Sequence, residues 1–236
     1  MKICRAFSMV MLLMGLLVSE VRAQDSLIRI HHLTYDILYN LNYKCPSVVF
    51  WKLRYQDLGQ YSRLEHKSFL QDPEDRKPRC STTDYVGSGY HRGHLCPAGD
   101  RGAQKDWWAD TFYMTNVAPM KPALNTGAWK SAEDECREMV RTGCSLEITV
   151  IPLWLLPVKQ WFGKCRIRVP SHFYKKAHCL VHDGHTIHWL MINTDIRQYM
   201  PDCVISGDSA RKVLQGVATV VNDQYSPSNK TVYESY

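Results

Sequence analysis

Short apolar runs bounded by turn signals recur along almost the whole chain, and one long stretch, Asn125 to Arg141, has helical composition. Ile28 to Tyr43 alternates short apolar and polar residues, and Val48-Val49-Phe50-Trp51 follows Pro46, which predicts a strand pair near the start. Thr111 to Met114 and Leu146 to Ile151 read as further strands, the first of them buried. Ala177 to Val181 and Ile187 to Ile192 are apolar runs joined around Asp183-Gly184, the signal of a two-residue hairpin. Gln56 to Ser81 is polar and contains Asp72-Pro73 and Pro78, so it reads as a surface loop, and Gly143 stands where the helical stretch should stop. Strands and helices are unevenly distributed, which predicts an α+β fold with a mixed sheet core. There is no repeat or low-complexity tract, and the polar stretch from Asp223 is expected to fray.

The ends and the cysteines bear on compartment. Lys2 and Arg5 precede an apolar stretch, Phe7 to Val18, and Val21 and Ala23 are small residues before Gln24. This pattern predicts a cleaved signal peptide over residues 1–23, because the apolar stretch is well short of the roughly 20 residues that cross a bilayer. A single domain over 24–236 and a secreted or periplasmic location follow as expectations, with no membrane association after cleavage. Removing Lys2, Arg5, Glu20 and Arg22 lowers the formal charge from +6 to +4, so bulk charge permits an anionic partner without requiring one. Of nine cysteines, Cys4 leaves with the peptide, and the eight that remain are Cys45, Cys80, Cys96, Cys136, Cys144, Cys165, Cys179 and Cys203. An even number in an exported chain points to disulfides, in any of 105 pairings. Zinc ligation ranks below them, since no C-x-x-C occurs.

The segment from Gly87 to Arg137 carries the chemistry. His94 follows a glycine-containing turn, and Asn125 opens the predicted helix. Asn125, Trp129, Glu133 and Arg137 are spaced by four and drift about 40° per step, so they can share one side. Taken alone, that stripe is an exposed helix with a Glu to Arg pair, and His94 is a structural histidine in a turn.

The joint pattern says more. Tyr90-His91-Arg92-Gly93-His94-Leu95-Cys96-Pro97-Ala98, then Thr115-Asn116-Val117-Ala118-Pro119, then Leu124-Asn125-Thr126-Gly127-Ala128-Trp129 and Glu133 to Arg137 resemble the DNA/RNA non-specific endonuclease family, the ββα-metal nucleases, in order and spacing. Weaker resemblance runs upstream through Phe69 to Pro73 and downstream through Val169 to Lys175. The resemblance implies a ββα-metal finger at the active site and hydrolysis of DNA and RNA that leaves 5′-phosphate ends. It also implies a general base at His94, a Mg²⁺ ligand at Asn125, and phosphate and transition-state contacts from Arg92 and Arg137. Glu133 would order water around the ion, Asn116 would support the site, Mn²⁺ would substitute for Mg²⁺, and a homodimer is among the implied arrangements.

The residue types suit those roles. Neutral imidazole can take a proton from water, a single amide oxygen suits Mg²⁺, which keeps several waters, and guanidinium forks match phosphate oxygens. One position departs from the family: His91 stands where an Asp usually precedes Arg-Gly-His. A carboxylate there could order the turn or pair with a cation, and imidazole cannot accept charge in that way. The competing expectation is therefore a catalytically weakened nucleic-acid-binding homologue; a third is an exported disulfide-rich domain with no nucleic-acid role. A further family arginine has Lys67 or Arg63 as counterpart, and neither is assigned.

Four other features weigh less. His178, His182 and His185 would share a face of a hairpin and resemble a metal cluster, with His188 on the other face, but exposed polar tips explain them. Trp107, Trp108 and Trp129 suit core better than base stacking. Cys96 beside His94 suits a disulfide better than a nucleophile. Asn229-Lys230-Thr231 is a sequon only where secreted proteins are glycosylated.

Overall fold

The computed structural model describes residues 26–63, 68–73, 80–156, 160–181 and 184–222. An antiparallel sheet runs in the order β1 (Leu27–His31), β2 (Asp36–Asn40), β3 (Cys45–Leu53), β6 (Leu146–Leu153), β9 (His172–Cys179), β10 (Thr186–Ile192) and β11 (Val204–Ile205). The excursion between β3 and β6 holds β4 (His91–His94), α1 (Lys105–Asp110), β5 (Val117–Met120), α2 (Pro122–Asn125) and α3 (Ala128–Arg141). The small pair β7 (Trp161–Phe162) and β8 (Ile167–Arg168) precedes β9, and α4 (Gly207–Asn222) ends the described chain. The α+β expectation holds.

Side chains alternate across the sheet, and each face meets a helix. On one side Trp51, Leu53, Ile148, Val150 and Phe173 pack with Ala128, Trp129, Ala132, Cys136 and Val140 of α3. Those helix positions recur every three to four residues, so α3 owes its stability to one buried stripe more than to propensity. On the other side Val48, Ile151, Leu153 and Tyr174 pack with Ala210 of α4. At roughly 1.5–3 kcal/mol for each large apolar side chain, these two layers dominate the stability. Central strand β6 buries nearly every residue, as a strand covered on both faces must.

Several expectations change. Thr111 to Phe112 is buried but turns, because the amides of Thr111, Phe112 and Tyr113 bond back to the carbonyls of Trp108, Ala109 and Asp110. The helical stretch is broken: α2 ends at Asn125, and α3 begins after Gly127. A Cβ on Gly127 would lie 2.4 Å from the Ala123 carbonyl oxygen, which shows how tightly the chain folds back there. The stop at Gly143 stands, at φ +114°. The β9–β10 turn is wider than two residues, since His178 pairs with Thr186 and the Cys179 amide bonds to the His185 carbonyl.

The expected disulfide framework shrinks to one bridge, Cys80–Cys165, set in a cluster with Tyr85, Tyr90, Val117 and Ile167 beneath the β4–β5 pair. Cys45, Cys96 and Cys136 are fully buried thiols that fill the main core as small apolar residues, Cys179 is fully buried with its thiol donating to the Val181 carbonyl at 3.3 Å, and Cys144 and Cys203 are likewise not bridged among the described residues. Residues 1–23, Lys67, His182, the stretch from Asp223 and the sequon at Asn229 lie outside the described residues. Among the described residues no helix is long and apolar enough to cross a membrane.

Candidate active site

Two short strands and a helix build the site. β4 pairs antiparallel with β5, Arg92 opposite Pro119 and His94 opposite Val117. Residues two apart on a strand share a face, so Arg92 and His94 project together while Gly93 turns inward. Glycine is required there: a Cβ on Gly93 would lie 2.7 Å from the Met120 Cβ. The His94 ring packs against Phe69 and Phe112, each centroid 5.0 Å away, in tilted and edge-on contact. Arg92 lies over the Phe69 ring at 5.1 Å, and its Nε is buried without a hydrogen bond among the described residues.

The helices are tied to this hairpin at two points. The Trp129 indole Nε1–H donates to the His94 carbonyl oxygen at 3.2 Å, and Asn125 Nδ2 lies 3.2 Å from His91 Nδ1. His91, flagged in the sequence only as a departure, thus touches the candidate metal ligand. With its amide nitrogen turned to His91, Asn125 keeps Oδ1 as a hard donor. Asn116 is in a different place from the other candidates. It is fully buried, its Oδ1 accepts from the Cys96 amide at 2.9 Å, and its Nδ2 donates to the carbonyls of Cys96 and Thr111 at 2.8 and 2.9 Å. It braces the backbone that leaves β4.

Trp129, Glu133 and Arg137 share one side of α3, with Trp129 buried and the other two half-buried. Arg137 donates from Nη1 to Asp100 at 2.9 Å and from Nη2 to Asp134 at 2.6 Å, and its Nη2 lies 3.9 Å from Glu133. Burial opposes its charge, yet Asp100 and then Glu133 hold its pKa above the usual value. Burial pushes the Glu133 carboxyl up to about 7, against the downward pull of Lys175 and Arg137.

Sequence reasoning missed Asp100 and Lys175. Asp100, fully buried, accepts from both Arg137 and the Trp51 indole, the latter at 3.0 Å. Lys175 is fully buried with its ammonium over the Trp129 ring at 5.0 Å and the Trp51 ring at 5.5 Å. Lys175 ends a stretch already noted for its resemblance; Asp100 carries no local signal, because its partners come from β3 and α3. Trp108 and Trp129 are core as expected, whereas Trp107 is half-buried and lines a cleft of about 420 Å³ with His32, Arg54 and Arg101. None of the candidate site residues lines that cleft. Cys96 is no nucleophile: burial pushes its thiol up to about 12. Of the histidines near the β9–β10 turn, His178 bonds Thr186 at 2.8 Å and His188 bonds Tyr174 at 2.7 Å, and His185 is exposed.

The family model described as DNA/RNA non-specific endonuclease matches residues 18–222. The chain belongs to the DNA/RNA non-specific endonuclease family. Mitochondrial endonuclease G of Bos taurus is 37% identical over 106 residues, covering 41% of this chain and 36% of its own. A nuclease of Nostoc sp. is 33% identical over 168 residues, covering 69% of this chain and 58% of its own. The alignment therefore spans well under two thirds of these nuclease relatives. A solved complex of EndoG with EndoGI is similar in fold, with a TM-score of 0.73 at 24% identity, covering 84% of this chain and 86% of that one. The family relatives overturn the expected secreted or periplasmic location: endonuclease G of cattle and human and nuclease EXOG of Xenopus laevis are mitochondrial. A basic, apolar N-terminal segment is an address read by receptors, and its composition alone does not fix the compartment.

Proposed function

We propose that this chain is a metal-dependent endonuclease that hydrolyses phosphodiester bonds of DNA and RNA, with Mg²⁺ as cofactor and Mn²⁺ as substitute. The observation that supports the reading is the double tie of β4 to the helices, Trp129 to the His94 carbonyl and Asn125 to His91, which joins the strand carrying Arg92 and His94 to Asn125 and to the start of the helix that carries Glu133 and Arg137. The donor set fits a hard ion: Asn125 Oδ1 would hold Mg²⁺, and Glu133 would order the waters such an ion retains. When bound, the ion supplies Lewis-acid stabilisation of phosphate oxygens.

The remaining work falls to the chain. His94, steadied between Phe69 and Phe112, takes the proton of the attacking water. Arg92 and Arg137 present fork-shaped donors to the phosphate as charge builds on its oxygens. Asp100 and Asp134 aim Arg137, and Asn116 braces the strand end behind His94. Contacts of this kind go to phosphates and read no bases, so low sequence preference is expected.

Purified chain incubated with supercoiled plasmid and with RNA, with Mg²⁺ or with chelator, tests the reading. Metal-dependent degradation of both, lost in Asn125→Ala, supports it. Binding without cleavage across acid to alkaline pH would instead mean that His91 has disabled the site.

A further inference from the structure

A second cluster of ligand chemistry lies where α3 ends against the sheet. Gly143 reverses the chain after the helix, and the Cys144 amide bonds to the Met139 carbonyl at 2.9 Å, which fixes Cys144 under the last turn. Next to it, Leu146 pairs with Cys179 across β6 and β9, and the Leu180 amide bonds to the Ser145 carbonyl at 2.7 Å. Across the β9–β10 turn the Cys179 amide bonds to the His185 carbonyl at 3.0 Å. Three separate elements therefore deliver Cys144, Cys179 and His185 to one point, each on hydrogen-bonded backbone. One ligand atom from each, two sulfurs and a ring nitrogen, lie within 4.8 Å of one another.

We propose that Cys144, Cys179 and His185 form a Cys₂His site for a borderline-soft divalent ion, Zn²⁺, that staples the end of α3 to the β9–β10 turn. Two thiolates and an imidazole select zinc over magnesium, because soft sulfur donors suit zinc and hard ions take oxygen. With Zn–S near 2.3 Å and Zn–N near 2.0–2.1 Å, the donors of one tetrahedral ion stand roughly 3.5–3.8 Å apart. The observed spread of up to 4.8 Å exceeds that by about 1 Å, which the ion would have to draw in. Cys179 is buried, Cys144 half-buried and His185 exposed, so the ion would sit at the rim with its fourth position toward solvent. Binding releases the thiol protons and links two stretches of chain that are far apart in sequence, which makes the ion part of folding stability. The site is separate from the Asn125 corner in both place and chemistry.

The test uses the full chain purified under reducing conditions, dialysed without chelator and assayed for metal content. About one zinc per chain is expected, with a zinc content lowered about tenfold or more in Cys144→Ser, Cys179→Ser and His185→Ala, and unchanged in Asn125→Ala. Cobalt substitution should give a thiolate-to-metal charge-transfer band that disappears in the same variants. His185 is exposed, so His185→Ala tests the site even if the cysteine variants fail to fold. A reduced, folded protein without zinc and without a cobalt band overturns the proposal. So does a Cys144–Cys179 disulfide in protein isolated without reductant, since it would consume two of the donors.

Discussion

The corner made by β4, β5, α2 and α3 and the rim where α3 meets the β9–β10 turn both gather side chains able to hold a metal. They are assembled in opposite ways. At the corner the groups come from a single continuous excursion, residues 91 to 137: an amide oxygen is the candidate metal donor, and the guanidinium of Arg137 is steadied by the buried carboxylate of Asp100. At the rim the donors are two sulfurs and an imidazole, brought from three places by strand register. The first arrangement lies in one stretch of chain, which is why a family resemblance could point to it. The second is a product of the sheet and has no signature of spacing at all.

The largest effect that would separate them is His94→Ala, which should lower the cleavage rate by about 10²–10⁴, the usual worth of a positioned base, with zinc content untouched. A loss of less than tenfold in plasmid nicking would break the assignment of the corner.

Next is Glu133. With its carboxyl held up to about 7 against an ordinary 4.5, the folded protein binds that proton more tightly than the unfolded chain does. The stability it contributes is complete below about 4.5 and is lost as pH rises through about 7. In chelator, urea unfolding of Glu133→Gln should lack this slope and be more stable at pH 8 by roughly 2–3 kcal/mol, after allowance for its partial exposure. Parallel pH–stability curves for the two proteins would refute it.

A smaller change is expected from His91→Asp. A carboxylate would accept from Asn125 Nδ2 in place of the imidazole and add negative charge beside the ligand, so the Mg²⁺ concentration for half-maximal cleavage should fall about tenfold. An unchanged metal titration would show that His91 is neutral to function. Least of all, His185→Ala should leave cleavage within about twofold in excess Mg²⁺, because the rim contributes stability and touches no substrate. A large loss of rate there would mean that the two regions are coupled through α3.

This difference in assembly also decides what could be read in advance. The apolar runs of β3, β6, β9 and β10 were legible because period-two burial on a covered sheet leaves its mark on each strand. Arg92, His94, Asn125, Glu133 and Arg137 were singled out because one family motif spans them, and it is the family, matched over residues 18–222, that was legible. The break at Gly127 was not, because helical spacing continues through Asn125 and Trp129 although the backbone turns sharply between them. Nor was the buried turn after Trp108, whose apolar residues match a strand while their amides bond backwards. Asp100 and Lys175 depend on partners distant in sequence, and so does the choice of Cys165 for Cys80. The histidines near the β9–β10 turn misled in an instructive way. Their grouping assumed a two-residue turn, and the actual register is wider and, among the described residues, sets His185 beside the sulfurs.

Asp100 holds the Arg137 guanidinium with one oxygen and the Trp51 indole with the other. The aim of the Arg137 side chain is thereby inherited from the middle of the sheet. A change at Trp51, deep in the core with the Lys175 ammonium across its ring, would therefore reach the Arg137 guanidinium through a single carboxylate.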